Sequence, residues 1–349
     1  MTTRKTGLML IFLALSGTAV AQQKDDATLI SRPADVGLIY PLSTNGTAAA
    51  QYSNRFSLQA LAGVSGAVQG SAFAGIANIV KGNADGAVFA GIANLIGGRA
   101  RGGQFAGILN AVKEDVTGFQ AAGLVNTAGS LNGVQAAGLA NIIRGKSRAV
   151  QVGGLFNKAD EARAQLAGLV NKAGKVKGVQ IAGLLNIADS SDYPIGFVNI
   201  IKTGDKSIGI STDETLNGLL SFRSGGRVLY GILGAGYNLK TDYDLYAVQA
   251  GIGAHLLNSG RFRLNAEGTQ LFQMDLKGNN SLRYTLHVLP EINLTGRLAL
   301  YAGPTVNLLI DYSDDKFTGQ TDHYFWSTRR RDHFLGAWIG VAGGLKFML

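Results

Sequence analysis

The chain has 349 residues with 49 glycines against 5 prolines and no cysteine, the usage of a turn-dense β protein; disulfides, thiolate metal sites and a lipid-bearing cysteine are excluded. The formal net charge of +9 falls to +7 when Arg4 and Lys5 leave with residues 1–21. That excess is modest, and no basic cluster is interleaved with aromatics, so anionic lipid headgroups are the expected partner and nucleic acid is not.

Residues 1–21 read as a secretory signal. Arg4 and Lys5 precede an apolar run over residues 8–15, and Ala19-Val20-Ala21 makes a small-x-small cleavage site before Gln22. The run is too short to span a bilayer, so an exported mature chain is expected. Residues 22–65 form an N-terminal segment, polar to about residue 34 and then carrying two expected strands, 36–42 and 55–64, around an Asn45-Gly46 turn. In the second strand Phe56, Leu58, Ala60, Ala62 and Val64 share one face, and Arg55, Ser57 and Gln59 the other. The pair either belongs to a barrel or caps the repeats that follow.

Across residues 66–204 one phrase returns nine times: Gly, then Ile, Leu or Phe, then any residue, then Asn. The asparagines are Asn78, Asn94, Asn110, Asn126, Asn141, Asn157, Asn171, Asn186 and Asn199, at steps of 16, 16, 16, 15, 16, 14, 15 and 13 residues. Such steps are too short for helical-pair repeats of ~33 residues or more. Ala usually precedes the Gly, and Gln104, Gln120, Gln135, Gln151, Gln165 and Gln180 stand three residues before it. Stacked as coils of a parallel β-solenoid, equivalent asparagines would lie ~4.8 Å apart and form an amide ladder, the structural role expected of them. The Ala-Gly pair would let the backbone turn, and the Ile or Leu of the phrase would fill a narrow core. Nine coils then make a rod roughly 43 Å long. The rival possibility, one membrane-spanning strand per unit, fits less well. The seven residues from Gln120 to Asn126 fall short of the ~9–11 a tilted spanning strand needs, and an up-and-down barrel would repeat by hairpins.

From residue 205 to 349 a different pattern takes over, strict alternation in runs of 10–15 residues. Tyr246, Val248, Ala250, Ile252, Ala254 and Leu256 oppose Gln249 and His255; Phe262, Leu264, Ala266, Phe272 and Met274 oppose Arg263, Glu267 and Asp275. The stretches 282–294, 297–312 and 335–349 alternate likewise, and 208–212 and 217–223 add two weaker strands. Sandwich strands are about half this length and carry charge outside, whereas these apolar faces carry none, so an outer-membrane-type antiparallel barrel is expected. Counting the strand left between the connections at 224–226 and 238–244, eight strands follow the repeats, and the two preceding them raise the count to ten. Tight turns at 224–226, 258–260 and 295–296 alternate with looser connections at 238–244, 277–280 and 313–333. On the usual orientation the array would begin and end on the periplasmic side, hanging below the barrel or folding into it as a plug. Tyr246, Phe272, Tyr284 and Tyr312 are placed for an outer aromatic girdle, Phe262 and Phe347 for an inner one.

Chemistry-bearing patterns are few. His255, His287, His323 and His333 have no partner at metal-ligand spacing, and no phosphate-binding loop is present, so neither metal nor cofactor is expected. Inside the expected barrel Arg263, Glu267, Asp275, Arg283, His287, Glu291 and Asp311 make a mixed-sign set. One use of it is a lipid-modifying hydrolase with His287 as base, Glu267 or Glu291 orienting it and Ser281 as nucleophile. The plainer use is a small lumen filled with paired charges, and on that basis the chain is expected not to be an enzyme. Tyr324-Phe325-Trp326 and Arg329-Arg330-Arg331 in the longest loop could grip lipid phosphates or polysaccharide, though rim packing explains them as well.

The stretch Ile39-Tyr40-Pro41-Leu42-Ser43-Thr44-Asn45-Gly46, the Phe56-Ser57-Leu58 strand and the Gly-Val-Gln-x-Ala-Gly-Leu-x-Asn units resemble the bacterial family of surface repeat-containing proteins, over roughly residues 36–210. Some members of that family are lipoproteins; this chain has no cysteine after its signal, so the barrel must anchor it. The family has no assigned activity to carry over. The leading expectation is a non-enzymatic outer-membrane protein with a structural or interaction role in the envelope, where lipid is the first partner and an envelope protein or polysaccharide the next. A small pore gated or plugged by the array comes second and the lipid-modifying enzyme third.

Overall fold

The computed structural model describes residues 29–241, 244–312, 321, 323–330 and 333–349. The expected signal at 1–21 lies outside the described residues, as do Arg331 and most of 313–322. Nearly everything described is β structure in two bodies, a parallel solenoid and a closed antiparallel barrel.

The solenoid starts with β1 (Ile30–Ile39), the short β2 (Leu42–Ser43) and β3 (Tyr52–Ser65), and continues from β4 (Ala67–Ala74) through β19 (Val198–Ile201). β1 pairs in parallel with β3, and β3 with β4, so the two strands ahead of the repeats are the opening layers of the array and not part of the barrel. Through the repeats each strand bonds to its equivalents in the adjacent coils, in register apart from a shift between Val176 and Val179. Gln120 lies beside Gln104 and Gln135, and Asn126 beside Asn110 and Asn141. Register is pinned because a one-residue slip would turn every buried side chain outward.

The core is not built from the residues expected. Ile92, Leu124 and Leu184, which follow the repeat glycine, are 44%, 46% and 51% exposed. The interior holds residues two past the asparagine, such as Val80, Ile96, Val112 and Ile143, together with Ala84, Ala100, Val116 and Leu131. The glycine sits at a corner between two strands, so the residue after it points off the corner. Alternation then restarts on the next strand with Asn inside. A side chain cannot occupy that corner: a Cβ on Gly107 would strike the carbonyl oxygen of Gly91 in the coil before. In β3, likewise, Ser57 and Gln59 face in while Phe56 and Leu58 face out.

The barrel comprises β20 (Lys206–Asp213), β21 (Asn217–Gly225), β22 (Leu229–Asn238), β23 (Tyr246–Ser259), β24 (Phe262–Met274), β25 (Asn280–Asn293), β26 (Leu298–Asp311) and β28 (Phe334–Met348). Neighbours run antiparallel, and β28 returns to β20 with Ile208 opposite Phe347, which closes the wall at eight strands. β27 (Trp326–Arg329) is a short arm of the long loop, paired to the start of β28. Apart from Lys206 at the first position of β20, the outward side of these strands bears no charge; Ile210, Leu220, Val248, Leu286, Val306 and Ile339 are typical of it. The last coil meets the barrel at the β21–β22 turn. There the Asn199 backbone N–H donates to Ser224 Oγ at 3.0 Å, and Arg227 pairs with Asp192 at 3.2 Å.

Candidate functional site

Alternation turns the mixed-sign set into the lumen, and the pairs it forms bring in partners from other strands. Arg223 of β21 donates through Nε and Nη2 to the two oxygens of Glu267, at 2.8 and 2.9 Å, and Tyr230 OH donates to the same carboxylate at 2.8 Å. Lys346 of β28 bonds Glu291 at 2.6 Å, and Asn265 donates to Glu291 at 2.8 Å. Arg263 pairs with Asp205, in the segment joining the array to β20, at 2.6 Å, while Arg283 pairs with Asp213. The Tyr301 ring lies between two cations, 5.2 Å from Arg223 and 5.3 Å from Lys346. Asp275 accepts from the backbone N–H groups of Lys277 and Asn279 at the loop end of β24, and Asp311 is fully buried. Burying charges is tolerable where they meet an opposite charge or several donors, as Glu267, Glu291 and Asp275 do.

Arg223 and Lys346 stand on the inward register of their strands, so extending the alternation into 217–223 and 335–349 residue by residue finds both. Glu214 has no such signal. It lies just past β20 and accepts from Trp338 Nε1 at 2.6 Å and from the Val341 N–H at 2.9 Å.

The hydrolase constellation is not assembled. His287 contacts Thr269 Oγ1 at 3.0 Å, whereas Glu267 and Glu291 are engaged by Arg223 and Lys346. Ser281 donates to Gln273 and lies six residues from His287 on the same strand, roughly 20 Å away at ~3.4 Å per residue. The free volume among Arg223, Glu267, Arg283, His287 and Tyr301 is about 30 Å³, room for a water and little else. Among the described residues, no three His, Asp or Glu side chains converge as metal ligands.

The array presents two buried amide rows and an outer surface of divided chemistry. Asn78, Asn94, Asn110, Asn126, Asn141, Asn157, Asn171, Asn186 and Asn199 form one row, each Nδ2 donating to the next Oδ1 at 2.9–3.0 Å. From Asn78 to Asn186 the second hydrogen of the amide goes to a backbone carbonyl of the neighbouring coil, as from Asn110 to Ala121 O at 2.7 Å, while Asn199 donates to Gly196 O and Ser224 O. The glutamines stack alongside, Gln135 on Gln120 at 2.8 Å and Gln165 on Gln151 at 2.8 Å. Nearer the start of the array, outside that stack, Gln59 donates to Asp35 at 3.0 Å.

Outside, the Gly-Ile corner carries an exposed apolar row from Ile76 to Phe197. Beside it runs a second row that begins with Phe73, Phe89 and Phe105, stacked at 5.0 and 4.8 Å between ring centres. Between the rows an open groove of about 690 Å³ has a floor of Ala-Gly pairs. Where the array reaches the barrel, Ala182, Gly183, Gly196 and Phe197 continue into a second apolar cleft of about 660 Å³, whose far side is the outer barrel wall at Ile252, Leu286 and Val306. The other turn of each coil carries the charge, as at exposed Arg99, Arg101, Lys113 and Arg144. Compared with protein-family models, characterised proteins and solved structures, the chain matches none.

Proposed function

We propose that this is an exported outer-membrane protein in which the eight-stranded barrel is a lipid-embedded anchor and the repeat array serves a structural or interaction role in the envelope, without catalysis. One observation carries this: a closed wall whose outward side, Lys206 apart, lacks charge, around a lumen where Arg223–Glu267, Lys346–Glu291 and Arg283–Asp213 are mutually neutralised. Such a division is costly in water, where the apolar side would be wetted, and favourable in a bilayer. The tightly filled space beside Arg223, Glu267 and Tyr301 lends no support to a conducting pore, and the distance of Ser281 from His287 lends none to a hydrolase. The expected signal at residues 1–21 supplies the route out of the cytoplasm.

The test is gel migration with and without boiling, on mature chain folded into detergent micelles. A closed barrel keeps its compact, faster band until heated. A mature chain that stays soluble without detergent and migrates alike in both states would sink the proposal.

A further inference from the structure

Resting on the membrane reading of the barrel, we propose that the repeat array is itself a lipid-contacting element, lying along the leaflet beside the barrel with its Gly-Ile corner in the acyl region and its basic flank at the headgroup phosphates. Three independent features point to lipid as the occupant. The corner row from Ile76 to Phe197 is exposed in every repeat, a continuous apolar strip of a kind that soluble monomers rarely leave uncovered. That strip runs into the outer wall of the barrel through the cleft between Phe197 and Leu286, so one apolar surface covers both bodies and a solvent that wets one end wets the other. The third feature is a smaller groove of about 330 Å³ on the neighbouring face, where Ile79, Leu95 and Ala111 lie beside Lys81, Lys113 and Arg144. Apolar floor with a cationic margin is the arrangement by which interfacial elements bury carbon and hold phosphate. A protein partner would need a complementary strip of equal length, whereas acyl chains conform to a groove floored by Ala and Gly without one.

The absence of cysteine makes a direct test simple. Single variants Leu124→Cys and Ile108→Cys on the corner, Arg101→Cys on the charged turn and Ile339→Cys on the outer barrel wall are labelled with an environment-sensitive fluorophore. The labelled full-length mature chains are folded into phosphatidylcholine–phosphatidylglycerol vesicles. Quenching by nitroxide-bearing lipid is then compared with quenching by aqueous iodide. Insertion of ~5–10 Å past the headgroups predicts lipid quenching at both corner positions and at Ile339, roughly threefold or more above that at Arg101, with iodide showing the reverse order. Lipid quenching at Ile339 together with iodide quenching at both corner positions overturns the array proposal and leaves the barrel reading standing. Iodide quenching at Ile339 overturns both. Protection of the corner from both quenchers means that a second copy or another protein covers it, which also overturns the proposal.

Discussion

Replacing Asn126 by Ala in the middle of the array removes a side chain that accepts from Asn110 at 2.9 Å and donates to Asn141 Oδ1 at 3.0 Å and Ala136 O at 2.7 Å. Three buried hydrogen bonds at a net ~1 kcal/mol each, plus the penalty for leaving Asn141 Oδ1 and the Ala136 carbonyl without their donor in a dry interior, give a loss of about 3–5 kcal/mol. The array couples mainly to nearest neighbours, so the loss is felt around coils 110–141. Both tryptophans, Trp326 and Trp338, lie outside the array, in the barrel and its loop. Urea unfolding of the full chain in detergent therefore separates the bodies: far-ultraviolet circular dichroism reports both, and tryptophan fluorescence reports the barrel. With ~1–3 kcal/mol/M as the slope, the dichroism midpoint of Asn126→Ala falls by at least about 1 M while the fluorescence midpoint holds. A shift under about 0.5 M in dichroism would show that the amide row contributes little and that the array is held by its backbone ladder alone.

The same titration distinguishes the inside of the coil from its corner: Leu131→Ala, fully buried, costs about 2–5 kcal/mol, whereas Leu124→Ala costs under about 1 kcal/mol. Gly107→Ala forces a Cβ onto the Gly91 carbonyl and costs about 1–3 kcal/mol, visible as new protease cleavage within the array of the folded chain. In the lumen Arg223→Met alone strands the Glu267 carboxylate and costs about 3–5 kcal/mol, read as a lower temperature for loss of the compact gel band. Adding Glu267→Leu restores most of that temperature, because no unpaired charge then remains.

Both architectures are legible in the residues, for different reasons. The near-constant 13–16-residue return of Asn is a distance along the chain, and only a small coil closes in that length. The 10–15-residue alternation around Val248, Phe272 or Leu286 reports a wall with two solvents. Which side of the repeat faces in is less legible. Alternation does not carry across the glycine corner, so counting from Gly places Ile92 or Leu124 inside when the next strand has already reset the phase. Hydropathy misleads here too, since the stacked asparagine amides satisfy one another and their burial costs little. The lumen pairs are half legible: Arg263, Glu267, Arg283 and Glu291 stand out by alternation. Their partners Asp205 and Asp213 lie in the joining segment and at the end of β20, where no long alternating run announces them.

A stack of near-identical coils has two raw ends, and each is a strand edge onto which another copy could add without limit. At the start, Pro33 interrupts the donor row of β1, and β2 folds back to pair with Gly37. At the finish the hairpin between β21 and β22 lies across the last coil, and Ser224 takes the Asn199 N–H that a tenth asparagine unit would otherwise claim. The barrel is thus also a stopper. An array cut free of it would expose a template at one end only, and fibres grown from such a fragment should lengthen in a single direction.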